Sequence, residues 1–249
     1  MNAIVIGAGV AGLATSIRLQ SAGIKTTIFE ANSYPGGKLT VIEKDGFRFD
    51  AGPSLFTLPQ LLDDVYSSTG LNPRDYYQFE QVPVACHYFW PDGKKLNAFF
   101  AKADLKAELE KQLGVDGNAV LNYLEHSKKL YTEAGEIFLN NSLHKASTWL
   151  TKDALQTLLQ ITKYDLFKSM NAANEARLQD PKLVQLFNRY ATYNGSNPYQ
   201  APGILNSIPH LEFNEGTFFP KGGMHSITEG LYKAAQDLGV DFNFNHRVD

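Results

Sequence analysis

Three glycines near the amino terminus have the type and spacing that could bind a phosphate group. Gly7, Gly9 and Gly12 form the pattern G-x-G-x-x-G, directly after a β-branched run and directly before residues with helical spacing. In a strand–turn–helix the first glycine permits the tight turn, the second lets the backbone approach a pyrophosphate, and the third lets the helix pack on the strand. The helix start would then offer unpaired N–H groups and partial positive charge to the anion. The pattern predicts a dinucleotide site.

An acidic residue follows at the position where a ribose would lie. Glu30 ends a second strand-like run, 18 residues after Gly12, and dinucleotide-binding folds place an acidic residue about 20 residues after the glycines. Its carboxylate would accept hydrogen bonds from both ribose hydroxyls and would repel the 2′-phosphate of NADP. The alternative is a glycine turn that binds no ligand, but the context and spacing favour a dinucleotide.

Two further sequence motifs follow Glu30, and a plain NAD-binding domain needs neither of them. Gly36-Gly37-Lys38 could bring backbone N–H groups and one positive charge to the same diphosphate. The run Phe49-Asp50-Ala51-Gly52-Pro53-Ser54 comes next. These steps favour FAD over NAD.

Short periodic segments place the first motif on a βαβ unit. Residues 3–6 predict a strand, residues 10–22 a helix and residues 24–29 a second strand. The carboxyl-terminal part repeats this order, with a strand predicted at 216–219, a glycine pair, a helix, and an alternating strand at 240–248. The order of elements in the carboxyl-terminal part therefore echoes the βαβ opening.

The middle of the chain predicts hairpins followed by helices. Asp45-Gly46 and Asp92-Gly93 each separate two strand-like runs, which is a strong hairpin signal. From about 103 to 193 the apolar residues recur at helical spacing, including a stripe over residues 155–166. Asp180-Pro181 is a capping residue followed by proline at the first helical position. The simplest interpretation of these stripes is a packed core.

Composition excludes several classes of protein. The 249 residues are 43% hydrophobic and 20% charged with a net charge of −3, which excludes a disordered chain and argues against nucleic-acid binding. The single cysteine, Cys86, cannot form a disulfide within the chain, and the six histidines show no metal-binding spacing. The N-terminus does not resemble a secretory signal, and no run approaches the roughly 18 apolar residues of a membrane helix.

With these motifs in order, the chain resembles the FAD-binding half of the flavin-containing amine oxidase and phytoene desaturase superfamily. Members of that superfamily carry four motifs in this order along the chain: G-x-G-x-x-G, a glutamate at the end of strand two, Gly-Gly-Arg, and D-x-G-P-[ST]. The chain departs from it in Lys38, where arginine is usual, and in Tyr34, where arginine is frequent. Lysine keeps the charge but not the bidentate geometry.

Later segments are similar to bacterial carotenoid desaturases. These segments are FNRYATYNGSNPYQAPG at 187–203 and PKGGMHSITEGLYKAAQDLGV at 220–240. The GGK step and DAGPSLFTLP at 50–59 look more like the branch that desaturates 1-hydroxycarotenoids at the 3,4 bond. Family members continue well past Asp249, so we expect the chain to be the N-terminal portion of a longer protein.

The resemblance implies an α/β fold with two parts. A Rossmann-like FAD-binding domain is expected from residues 1–76 and 216–249, and an inserted hairpin-plus-helical substrate region from 77–215. The FAD-contacting residues it implies are Gly7, Ala8, Gly9, Val10, Ala11, Gly12, Glu30, Ala31, Gly36, Gly37, Lys38, Gly52, Pro53, Ser54 and, through its main chain, Val248. No acid–base constellation is evident, and His225, beside Gly222-Gly223, is a weak catalytic candidate.

The resemblance also implies a function. A C–C unit of an acyclic, 1-hydroxylated carotenoid would lose a hydride to N5 of FAD and a proton elsewhere, which extends the polyene by one double bond. The reduced flavin would pass its electrons to oxygen or a quinone. Because the substrate is a lipid, a cytoplasmic protein peripheral to the membrane is expected, with 103–193 as the candidate contact region. The alternatives are phytoene desaturation, another superfamily oxidase acting on amines or porphyrinogens, and a truncated non-catalytic dinucleotide- or lipid-binding module.

Overall fold

The computed structural model describes residues 1–135, 144–145 and 164–249. The chain divides into two compact units, one formed by Met1–Val82 with Phe218–Asp249 and the other by Pro83–Thr217. The elements of the first unit are β1 (Asn2–Ile6), α1 (Val10–Ser21), β2 (Lys25–Phe29), β3 (Thr40–Lys44), β4 (Phe47–Ala51), α2 (Pro59–Ser67), β5 (Phe79–Gln81), β8 (Phe218–Pro220), α7 (Ser226–Asp237) and β9 (Asp241–Asn243). Those of the second are β6 (Val84–Phe89), β7 (Lys95–Phe99), α3 (Lys102–Leu113), α4 (Gly117–Leu130), α5 (Met170–Arg177) and α6 (Pro181–Asn188).

The unit boundary differs from the sequence-based one for a topological reason. A boundary after residue 76 would assign β5 to the inserted region. The structure instead pairs β5 with β8 in an antiparallel ladder, which places β5 in the first unit. Gly216 and Thr217 fall in the second unit, ahead of β8.

The first unit is built on a parallel sheet that does not include the strand predicted at 216–219, since β8 pairs antiparallel with β5 instead. Its strand order is β1-β2-β9, and β1 and β9 each pair in parallel with β2. The apolar stripes of α1 and α7 fill the core with Leu13, Ile17 and Leu231, all fully buried together with Ile28 of β2. Each such side chain contributes about 1.5–3 kcal/mol by leaving water. The predicted βαβ opening is therefore confirmed.

The last strand is shorter than its sequence pattern predicts. Residues 240–248 alternate, but β9 ends at Asn243. Asn245 takes a left-handed φ of 57°, and its N–H then donates to the Asn32 carbonyl at 3.0 Å. The backbone hydrogen bonds that would have extended the strand are made instead with the loop after β2.

Both predicted hairpins form. At the β3–β4 turn, Asp45 and Gly46 have φ values of 52° and 80°, which a turn of this hand requires at both central positions. At the β6–β7 turn, Gly93 has a φ of 82° and the strands pair antiparallel.

The second unit packs its hairpin against helices. The helix predicted to start after Asp180 is α6, whose first turn is capped because the Asp180 carboxylate accepts from the Lys182 and Leu183 N–H groups at 2.8 and 3.2 Å. The core of the second unit includes Leu124, Phe187 and Phe213. Most of the predicted stripe at 155–166 lies outside the described residues. No helix within the described residues is long and apolar enough to cross a membrane.

Candidate functional site

The start of α1 is open to an anion. Gly9 is its N-cap residue, no side chain caps the helix, and no acidic residue lies in its first turn. The first N–H groups of a helix have no partner within the helix and lie at the positive end of its dipole. The Glu30 carboxylate is beside this end, where it accepts from the Ala8 N–H, and the N–H groups of the first turn stay free of side-chain caps. This end of α1 can therefore bind a phosphate.

The three glycines of the loop serve different needs. A Cβ on Gly12 would lie 2.0 Å from the Gly7 carbonyl oxygen, and Gly7 has a φ of 94°, so the fold itself requires both glycines. Gly9 differs, because its φ of −71° and ψ of 173° suit any residue. A Cβ there would meet only the Gly36 carbonyl oxygen, at 4.0 Å. The chain does not need glycine at position 9, whereas a pyrophosphate approaching the backbone does.

The glycine pair at 36–37 lies directly against this loop. The Gly36 N–H donates to the Ala8 carbonyl at 2.9 Å, and Gly9 and Gly36 form an isolated parallel bridge. A Cβ on Gly37 would be 3.4 Å from the Gly9 Cα. Lys38 follows, exposed and without an ion pair to the described part of the chain, so its charge is available to a phosphate. The structure thus places the Gly36-Gly37-Lys38 motif against the G-x-G-x-x-G loop, as predicted for two motifs that would bind one diphosphate.

The Glu30 carboxylate already accepts three hydrogen bonds within the chain, which limits the number that it can accept from a ribose. Its side-chain Oε2 accepts from the Ala8 N–H at 2.7 Å, and Oε1 accepts from the Asn32 N–H and Nδ2 at 2.8 and 2.9 Å. A carboxylate has about four acceptor positions, so one remains, on Oε2. The expectation that Glu30 accepts from both ribose hydroxyls requires Asn32 to give way. Ala31, the next residue, is exposed.

The run that contains Gly52-Pro53-Ser54 packs on the Gly36-Gly37-Lys38 motif. Gly52 has a φ of 108°, and a Cβ on it would lie 1.8 Å from the Lys38 carbonyl oxygen, so its backbone touches the Gly36–Lys38 step. Pro53 and Ser54 follow and are exposed. Thr228 of α7 donates its hydroxyl to the Leu39 carbonyl at 3.1 Å, which ties α7 to the same segment.

Asp50 is a positioning residue that sequence reasoning missed. Its carboxylate accepts from the Met224 N–H at 2.9 Å and the His225 N–H at 3.5 Å, at the start of α7. A Cβ on Gly223 would lie 2.6 Å from the Asp50 Oδ2, so the glycine allows this approach. Asp50 therefore links the DAGPS run to the GGMH loop. Its partner is 174 residues away, and no local pattern signals that pairing.

The two remaining predicted site residues, His225 and Val248, have different surroundings. The His225 side chain is 13% exposed, neither ring nitrogen has a hydrogen-bond partner in the described part of the chain, and Nδ1 lies 3.5 Å from the Glu229 carboxylate. Val248 is exposed. The preceding segment docks beside Glu30, whose carbonyl accepts from the His246 N–H at 2.9 Å.

In the second unit, a buried carboxylate organises the segment after α6. Glu212 is 1% exposed and accepts from Arg189 at 2.9 Å, from the Tyr190 hydroxyl at 2.6 Å, and from the Tyr193 hydroxyl. Burial, followed by the Glu212 charge, raises the pKa of both phenols well above its usual value, so both remain donors. Arg189 is thus engaged within the unit. Asn188 is engaged too, bonding to Asn171 and Asn174 at 2.7 and 2.9 Å.

Comparison with known proteins gives one family and several relatives. The family model described as flavin containing amine oxidoreductase matches residues 10–249. The chain is 45% identical to a 1-hydroxycarotenoid 3,4-desaturase from Flavobacterium sp. (strain P99-3), over 99% of the chain and 50% of the relative. It is 34% identical to a 4,4'-diapolycopene oxygenase from Methylomonas sp, over 98% of the chain and 49% of the relative. The chain spans about half the length of the curated relatives it matches.

Solved structures share the fold at low identity. A putrescine oxidase triple mutant aligns with a TM-score of 0.61 at 15% identity, over 98% of this chain and 50% of that one. Cyclohexylamine oxidase from Brevibacterium oxydans IH-35A aligns with a TM-score of 0.60 at 17% identity, over 99% and 51%. These similarities identify the α/β, Rossmann-like fold.

Proposed function

Because the chain belongs to the family of flavin containing amine oxidoreductases, we propose that the protein carrying it is an FAD-dependent carotenoid desaturase. The single observation that carries this proposal is the 45% identity to a 1-hydroxycarotenoid 3,4-desaturase across 99% of the chain. We extend it to an acyclic, 1-hydroxylated carotenoid as the substrate.

The cofactor of this proposal is FAD, and the residues of the first unit fit it. The open start of α1 and Gly9 would receive the pyrophosphate, with Lys38 supplying a positive charge. Glu30 would accept from a ribose hydroxyl while holding the loop through the Ala8 N–H. Ala31, Pro53, Ser54 and the main chain of Val248 remain proposed contacts.

The chemistry divides between cofactor and protein. Bound FAD would supply the hydride acceptor for oxidation of a C–C unit, and oxygen or a quinone would take the electrons. The chain's part is to hold the cofactor, position the substrate and exclude water. We assign no acid–base pair to catalysis and keep His225 as a candidate catalytic residue.

We also propose that the protein works at the cytoplasmic membrane surface, because its substrate is a lipid. An exposed aromatic side chain supports this: Phe167 is 82% exposed in the second unit. Aromatic residues favour the interface between lipid and water.

A second candidate, carotenoid oxygenation, is favoured by the relative named 4,4'-diapolycopene oxygenase at 34% identity. Product analysis separates the two. The protein at its full natural length, loaded with FAD in detergent, is incubated with a 1-hydroxylated acyclic carotenoid, and the product is examined by mass spectrometry. Loss of two hydrogens with a longer polyene is expected. Gain of oxygen would favour the oxygenase, and no change with carotenoid but oxidation of an amine would overturn both.

A further inference from the structure

The second unit contains an apolar cavity beside the segment that Glu212 organises. Its volume is about 510 Å³, within the range of roughly 300–1,000 Å³ typical of small-molecule pockets. No charged side chain is among its described lining residues. The apolar residues of the lining are Leu166, Pro202, Ile204, Leu205, Ile208 and Leu211.

This cavity differs in chemistry from a larger one in the same unit. The larger cavity, of about 710 Å³, is lined by Glu175 and Arg189 and by several amides. Placing a hydrocarbon there would strip water from charged groups at a large cost. Of these two cavities, the one of 510 Å³ is therefore better suited to a hydrocarbon.

A few polar groups interrupt the apolar lining and are free. Ser207, which is half-buried, and Asn194, which is exposed, are among the lining residues, and neither side chain has a hydrogen-bond partner within the described part of the chain. Either group can both donate to and accept from an alcohol. Tyr131 also lines the cavity, and burial raises the pKa of its phenol, so it stays neutral.

The wall that carries Asn194 is held in place before any ligand arrives. Tyr193 lines the cavity, and its hydroxyl is committed to the buried Glu212, which also binds Arg189 and Tyr190. The next residue, Asn194, ends this 3₁₀-helical segment, Arg189–Asn194. A preorganised wall loses less entropy when it binds a ligand.

We propose that this cavity binds the alcohol-bearing end of a long isoprenoid, and that Ser207 and Asn194 form hydrogen bonds with its hydroxyl group. The proposal rests on the proposed function and deepens it by assigning the residues that distinguish hydroxylated from unhydroxylated substrate. A lining that is apolar and uncharged, with two free groups that donate and accept, matches a hydrocarbon that ends in a single alcohol. Ser207 and Asn194 are specificity-determining residues in this account.

The test compares two acyclic carotenoids of the same carbon skeleton, one carrying the 1-hydroxyl and one lacking it. The full-length, FAD-loaded protein is assayed for kcat/KM on each, as wild type, Ser207→Ala, Asn194→Ala and the double variant. Each single variant should lower the preference for the hydroxylated substrate about 3–10-fold, the worth of one neutral hydrogen bond. The loss should fall on the hydroxylated substrate alone, because the other makes no such bond.

Ser68→Ala is the matched control, since it removes the same hydroxyl from an exposed site in the first unit. Its preference should equal that of the wild type. A wild type that shows no preference, or variants that keep it, would overturn the assignment of the cavity. Equal loss on both substrates would indicate a purely structural role and would also overturn it. A wild type that desaturates neither carotenoid would instead contradict the proposed function.

Discussion

Replacing Gly9 by serine is expected to weaken FAD binding strongly while leaving the protein folded. Gly9 has backbone angles that serine adopts without strain, and its Cβ would meet no protein atom closer than 4.0 Å. Serine is moreover a favourable N-cap residue, so α1 should be as stable as before or slightly more so. The added side chain occupies the space through which a pyrophosphate reaches the backbone N–H groups. FAD affinity should fall on the order of 100-fold.

The measurement is a titration of FAD into the apoprotein, together with the thermal unfolding midpoint without FAD. Gly23→Ser provides the control with the opposite result. Gly23 follows the end of α1 with a φ of 79° and open space around its Cβ position, so serine there costs about 1 kcal/mol in strain without touching the Gly7–Gly12 loop. That variant should unfold earlier and still bind FAD. Wild-type FAD affinity in Gly9→Ser would contradict the placement of the cofactor.

Replacing Glu212 by glutamine is expected to lower the free energy of unfolding by about 3 kcal/mol, because it leaves Arg189 without its charged partner. Glu212 is 1% exposed and accepts from Arg189 and two tyrosines. Glutamine keeps the size but removes the charge and turns one acceptor into a donor, which then faces a group that also donates. The segment Arg189–Asn194 should loosen with it.

Chemical denaturation followed by fluorescence measures this loss. Glu110→Gln is the matched control in the same unit, since Glu110 is 48% exposed and lies 3.9 Å from Lys106. An exposed pair of this kind contributes only about 0.2–1 kcal/mol. If the two variants unfold at the same denaturant concentration, Glu212 does not organise the segment. Tyr193→Phe, which removes one donor only, should give an intermediate loss of about 1 kcal/mol.

The local parts of the fold could be predicted because short-range chemistry decides them. The parallel opening follows from a β-branched run, a glycine turn and a helical stripe, and the hairpins follow from Asp-Gly pairs. The start of α6 follows from Asp180 and the proline after it. In each case the residues that determine the structure are neighbours in sequence.

Other features could not be predicted because they depend on partners far along the chain. Helix α2 is only nine residues long and starts after Leu58, whose φ of 54° is not readable from sequence. The last strand stops early because its successor residues bond to Asn32 and Glu30. Tertiary hydrogen bonding overrides an alternating pattern there.

The candidate site shows the same division. The glycines and Glu30 could be proposed as site residues from spacing alone, since each matches a known geometry. The engagement of Glu30 by Ala8 and Asn32, and the link from Asp50 to the α7 start, required the structure. Glu212 carried no signal in sequence, because a single glutamate in a mixed segment does not reveal its burial.

The most direct test of the central claim is an anaerobic absorbance titration. The protein at its full natural length, loaded with FAD in detergent, is mixed without oxygen with a 1-hydroxylated acyclic carotenoid. The flavin band should bleach while the carotenoid absorption moves to longer wavelength, in one-to-one proportion. A flavin band that does not respond to the carotenoid would contradict the account, and so would a purified protein that binds no flavin.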